Sequence, residues 1–206
     1  MSMVADVWAG VDVGGRRKGF HLALLTADGV VVDRAADPWA ALELLKAWQP
    51  VLIGVDAPAS WAPPGMRSRL EERAFAARRI CRIRYTPDAA TAAAHPGTYY
   101  EWIHHGLDLW HLLAVAGLAA VEVFPTASFT AWGGPRPRNL RRADWTTEVL
   151  HRLGVDEIAG ATQARSQDHR DALAGALTAR QYHRRPHECH ADGVLVVPVS
   201  GSVPLP

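Results

Sequence analysis

Two apolar runs in this chain each carry the backbone to a carboxylate. Residues 4–13 (VADVWAGVDV) hold Asp12, and residues 51–55 (VLIGV) deliver Asp56. A continuous apolar run of this kind reads as a strand covered on both faces. A charge beside such a strand is costly unless it is paired or binds a cation. The pattern recurs twice. Glu122 sits inside VEVFP, and Asp168 and Asp171 lie in DHRDALAGALTA, three apart and so on one helix face that continues through Ala172 and Gly175. Each acid alone has a structural reading: Asp56 caps the turn at Pro58, Asp168 caps the last helix, and Glu122 pairs with an arginine from residues 67–84. Taken together, the acids point to one site for hard divalent cations, Mg²⁺ or Mn²⁺, which prefer oxygen ligands.

The remaining pattern sets the frame around these acids. Residues 19–26 (GFHLALLT) and 30–34 (VVVDR) are strands joined by an Asp28-Gly29 turn, so the chain opens as an antiparallel three-stranded meander. Asp37 and Pro38 start a helix that Gln49-Pro50 ends. Residues 67–84 have a helical pattern, 87–97 read as loop, and 98–118 form one or two helices. Residues 121–124 are a short buried strand stopped by Pro125. Helices follow at 143–153 and 167–182, and residues 193–197 form a closing strand. The expected fold is α/β. Its sheet is mixed and five-stranded, with three antiparallel strands, parallel strands beside the first, and helices on both faces. The 206 residues suit a single domain. It carries a helical insertion at about residues 62–118 and a short C-terminal strand and tail.

A formal charge of +1 excludes a strongly basic protein that binds nucleic acid everywhere, but allows a local basic face. Residues 67–84 supply one, with seven Arg against Glu71 and Glu72. Guanidinium forks suit phosphates, so Arg67, Arg73 and Arg78 are candidate nucleic-acid contacts, together with Lys18 just after Asp12. Trp61 and Tyr85 flank this segment. Cys81 and Cys189 have no metal or redox spacing and are expected to be free thiols in a reducing cytoplasm. The start of the chain does not read as a signal peptide, and the most apolar stretch, residues 109–124, is too short and polar to span a membrane. His183, His187, Cys189 and His190 have zinc-like spacing but no second Cys pair, so they are not read as a site.

The motifs GVDVGG, IGVDAP, VEVFPTASF and DHRDALAGALTA, in this order, resemble the RNase H-like superfamily, most closely its Holliday-junction-resolvase branch. More narrowly they resemble the bacterial family called domain of unknown function 429, over roughly residues 7–198. The order and context of the motifs, more than any one of them, carry the resemblance. It implies a metal-dependent nuclease acting on a structured or branched nucleic acid, with two cations about 4 Å apart. Asp12 matches the first-strand acid that bridges the metals. Asp56 matches the acid after the fourth strand, where the resolvase branch carries Glu. Asp171, with Asp168, matches the late-helix acids, and Glu122 matches the Glu of the VEVFP strand. Two other readings stay open. GVDVGG also resembles the phosphate loop of actin-type and sugar-kinase phosphotransferases, whose later Gly-rich motif has only Gly133-Gly134 as a candidate. The third reading is a non-catalytic scaffold that binds nucleic acid through its Arg face. The oligomeric state is left open, a homodimer included.

Overall fold

The computed structural model describes residues 6–204. Strand β1 (Trp8–Val13) is buried along its whole length, as its apolar content requires. It pairs antiparallel with β2 (Phe20–Leu25), which pairs antiparallel with the half-exposed edge strand β3 (Val30–Ala35). Val4 and Ala5, expected in the first strand, lie outside the described residues. On its other side β1 runs parallel to β4 (Leu52–Asp56), then come β5 (Ala120–Val123) and β7 (Leu195–Pro198), also parallel. The last strand, β6 (Cys189–Asp192), returns antiparallel to β7. The sheet order is β3-β2-β1-β4-β5-β7-β6.

The sheet therefore has seven strands, not the expected five. The run at 193–197 is one arm of a hairpin, turned at Gly193 with φ +59°. Its other arm, CHAD, has no apolar alternation, because it lies on the sheet edge with only partial burial. Such a strand leaves no hydrophobic signature.

Helix α1 (Pro38–Trp48) starts as expected, with the Asp37 side chain accepting from the Ala40 N–H at 2.8 Å. Three helices connect β4 to β5: α2 (Leu70–Ala77), α3 (Ala89–Ala94) and α4 (Glu101–Val115). The helix expected over 67–84 is only α2. The chain leaves it at Arg78, whose guanidinium is bound by Asp192 of β6, and Arg79 takes a left-handed φ of 56°. The loop expected at 87–97 contains α3, capped by Asp88. Pro125 both stops β5 and opens α5 (Pro125–Gly133), where its fixed φ suits the first turn. Helices α6 (Arg142–Arg152) and α7 (Gln167–Arg184) follow, and Ser166, not Asp168, caps α7. No helix among the described residues is long and apolar enough to cross a membrane, and both cysteines are free thiols.

Side chains alternate across the sheet, and two cores result. Ala9, Val11, Phe20, Leu22, Ile53 and Val55 face α1 and α4. Trp8, Ala23 and Leu25 face α5, α6 and α7. Helix α7 lies directly against β1 and β4 because glycines line the contact. A Cβ added at Gly10 would overlap the carbonyl oxygen of Ala172, and one at Gly54 would overlap that of Gly175. Leu173 and Leu177 are fully buried and anchor the helix, each contributing about 1.5–3 kcal/mol by burial.

Candidate active site

The strand register gathers the first acids. Asp12 stands directly opposite Asp56 across the β1–β4 pair and opposite His21 across the β1–β2 pair. Directly paired residues project from the same face of a sheet. Asp12, Asp56 and His21 therefore leave on the α7 face, two residues beyond the glycines that let α7 approach. The same close packing brings the first turns of α7, with Asp168 and Asp171, over the strand ends.

Two cations sit among these four carboxylates. Lys18 Nζ donates to Asp168 Oδ1 at 2.6 Å, and Arg142 donates to Asp171 Oδ2 at 2.9 Å. Gln167 donates to the other Asp171 oxygen at 2.9 Å. No hydrogen bond or ion pair holds Asp56 among the described residues. Asp12 lies 4.0 Å from His21, a separation too long for a hydrogen bond. Asp12, His21 and Asp168 each offer a ligand atom, and these atoms lie within 4.8 Å of one another.

The electrostatics follow from this crowding. Burial, then the charges of Asp171 and Asp168, push Asp12 up to about 7, against the opposing pull of Lys18 and Arg142. Burial, then Asp12 and Asp171, hold Asp56 well above the ordinary carboxylate range. Burial likewise raises Asp171. Desolvation and like charge both disfavour the ionised forms of Asp12 and Asp56. A divalent cation relieves the same repulsion. The donors are carboxylate oxygens with one imidazole, so the residues present fit such an ion.

Glu122 does not join the four aspartates. It pairs with Val55 in register, so it projects from the opposite face. There Arg69 grips both of its oxygens, one at 2.7 Å, and the Ala59 N–H donates to it at 3.0 Å. Arg69 is only 2 % exposed. It also bonds Glu72, whose carboxylate accepts from the backbone and hydroxyl of Thr86 and from the Arg69 N–H that opens α2. Of the two readings of Glu122, pairing with an arginine of the 67–84 segment is the observed one. The ion pair pins the chain after β4 to the start of α2, beside the acids.

The four aspartates, Glu122, Arg69 and Glu72 line one cleft of about 910 Å³. Among the described residues, the cations lining it are Lys18, Arg69, Arg82, Arg84 and Arg142. Arg82 and Arg84 are exposed, and Tyr85 and Tyr99 stand beside them, half open to solvent. The arginines singled out from the sequence lie elsewhere. Arg67 is exposed outside the cleft, Arg73 donates to the Ser68 carbonyl at 2.9 Å, and Arg78 is held by Asp192. Trp61 packs edge-on against His104, with ring centroids 5.0 Å apart. The C-terminal histidines do not gather: His183 accepts from the Trp8 indole at 3.4 Å, and His190 lies beside Arg78.

Sequence reasoning missed two members of the site. His21 was findable by counting the β1–β2 register outward from the turn, since Val13 pairs with Phe20 and Asp12 with His21. Arg142 lies in an arginine-rich stretch with no local pattern to single it out.

A family model described as "Protein of unknown function (DUF429)" matches residues 10–193. No curated protein matches the sequence. Among solved structures, RuvC of Thermus thermophilus is similar, with a TM-score of 0.50 and 16 % identity. The match covers 94 % of this chain and 99 % of that one. The likeness is one of fold, the RNase H-like α/β arrangement.

Proposed function

The chain belongs to the DUF429 family, and on that premise we propose that it is a divalent-metal-dependent nuclease of the RNase H-like superfamily. The observation that carries this reading is the convergence of Asp12, Asp56, Asp168 and Asp171 from β1, β4 and α7 on one cleft. Four acids facing two cations are poorly explained as a structural network, because Lys18 and Arg142 pair with Asp168 and Asp171 and no Lys or Arg pairs with Asp12 or Asp56 among the described residues.

In this reading the four aspartates hold Mg²⁺ or Mn²⁺. Bound there, such an ion would lower the pKa of a water and offset negative charge developing on the leaving oxygen. The protein's own groups do the rest. Asp12, at the centre of the cluster, releases its proton near neutrality and becomes a full ligand. Asp56, on the adjacent strand, is held in register with it. Lys18 and Arg142 limit the repulsion between the acids and face the phosphate. Arg82 and Arg84, across the cleft, bind flanking phosphates. Arg69 and Glu122 act as positioning residues that fix the cleft wall. The near-neutral net charge favours recognition of a structured or branched nucleic acid over indiscriminate backbone binding.

The test is incubation with Mg²⁺ or Mn²⁺ and single-stranded, duplex, hybrid and branched nucleic acids. Cleavage is expected for one class, abolished by chelator and by Asp12→Asn. Cleavage that survives Asp12→Asn removes the assignment.

A further inference from the structure

His21 is buried beyond nine-tenths, yet its Nδ1 has no hydrogen-bond partner among the described residues. The ring stands between two carboxylates, with Nδ1 4.0 Å from Asp12 Oδ2 and Nε2 4.0 Å from Asp168 Oδ2. Neither distance is a hydrogen bond. The ring is nevertheless fixed. His169 meets it edge-on, with centroids 4.9 Å apart at 82°, and His169 is itself held by the Ser166 hydroxyl at 3.0 Å from its Nδ1. The second oxygen of Asp168 is taken by Lys18, which leaves Oδ2 turned toward the imidazole.

A buried nitrogen held in place but bonded to nothing calls for an explanation, and a bound ion supplies one. Bonds from such cations to imidazole and carboxylate are about 2.0–2.2 Å long, so two ligands of one ion stand up to about 4 Å apart. The 4.0 Å between His21 Nδ1 and Asp12 Oδ2 fits that arrangement and no direct contact, and one ligand atom from each of Asp12, His21 and Asp168 lies within 4.8 Å of the others. Mn²⁺ also favours oxygen but, as a transition-metal ion, accepts an imidazole more readily than Mg²⁺, which takes oxygen ligands and keeps its waters.

We propose that His21 is a nitrogen ligand of the cation held by Asp12 and Asp168, and that it biases this centre toward a transition-metal ion such as Mn²⁺ over Mg²⁺. The inference rests on the reading of the cleft as a cation site and adds the metal's identity to it. His169 is a positioning residue that keeps the His21 ring edge toward the ion.

The experiment uses Mn²⁺ alone with the full chain. Loss of the free-ion paramagnetic resonance signal measures binding, and spin-echo envelope modulation detects nitrogen on the bound ion. The wild type is expected to show ¹⁴N modulation that changes to a ¹⁵N pattern on selective histidine labelling. Mg²⁺ is expected to displace Mn²⁺ only at large excess. In His21→Asn the modulation disappears. Mn²⁺ affinity is expected to fall at least the roughly 10–100-fold that loss of a ligand's outer support costs. Labelling of the wild type shows whether a histidine binds the ion, and modulation that persists in His169→Asn assigns it to His21 even if His21→Asn folds poorly. Bound Mn²⁺ with no nitrogen modulation overturns this proposal and leaves the cation reading of the cleft standing. No Mn²⁺ binding overturns both. Modulation that persists in His21→Asn but vanishes in His169→Asn moves the ligand to His169, whose Nε2 is also unpartnered, and overturns the assignment.

Discussion

Asp12→Asn is expected to stabilise the metal-free protein at pH 8. In the fold, burial and the charges of Asp171 and Asp168 raise the Asp12 carboxyl from 3.8 to about 7. A raised carboxyl stabilises the fold fully below pH 3.8, and that contribution is lost as pH rises through about 7. Each pH unit between those limits is worth about 1.36 kcal/mol, which caps the penalty of the ionised group at about 4 kcal/mol. Asparagine removes the charge at nearly constant volume. Its buried amide lacks full hydrogen bonding, which costs about 1–3 kcal/mol, so a net gain of roughly 1–3 kcal/mol remains. For a domain of this size that corresponds to about 2–12 °C in Tm. The assay is thermal unfolding in chelator at pH 8 and again at pH 4, where the gain should vanish. Adding Mn²⁺ at pH 8 should reverse the ranking, because only the wild type is stabilised by mass action. A variant no more stable than wild type at pH 8 in chelator refutes the crowded-carboxylate account.

Two further substitutions probe how the site is held. Arg69→Ala strips the guanidinium that lies between Glu72 and Glu122 and leaves buried acid uncompensated. Urea unfolding should show a loss of about 3–5 kcal/mol, and a loss under about 1 kcal/mol would mean the pair is not buried as described. Gly54→Ala places a Cβ against the Gly175 backbone, and overpacking of this kind costs about 1–3 kcal/mol or more. Because α7 carries Asp168 and Asp171, calorimetry should also show weaker Mn²⁺ binding. Wild-type stability and affinity together would contradict the close helix–sheet contact.

Much of the frame was readable because it rests on local physics. The meander follows from the apolar runs and the Asp28-Gly29 turn, and α1 from Asp37 and Pro38. Strand β6 and helix α3 were not readable. The first has no apolar alternation at the sheet edge, and the second is a short alanine-rich turn inside what composition makes a loop. The Arg segment misled for a related reason: charge density in a sequence does not reveal which guanidiniums are already engaged. Arg69 and Arg78 are held by Glu122 and Asp192, residues 53 and 114 positions away.

The sequence by itself determined that acids stand beside buried strands and on one face of the last helix, because alternation and helical spacing are local rules. Only the tertiary structure decided which acids meet. Register puts Asp12 opposite Asp56 and His21, and the Gly10–Gly54–Gly175 contact lowers Asp168 and Asp171 onto them. Glu122 is turned to the other face, where Arg69 neutralises it. Pairing partners and faces depend on contacts between distant segments, and a one-residue shift in register exchanges every face.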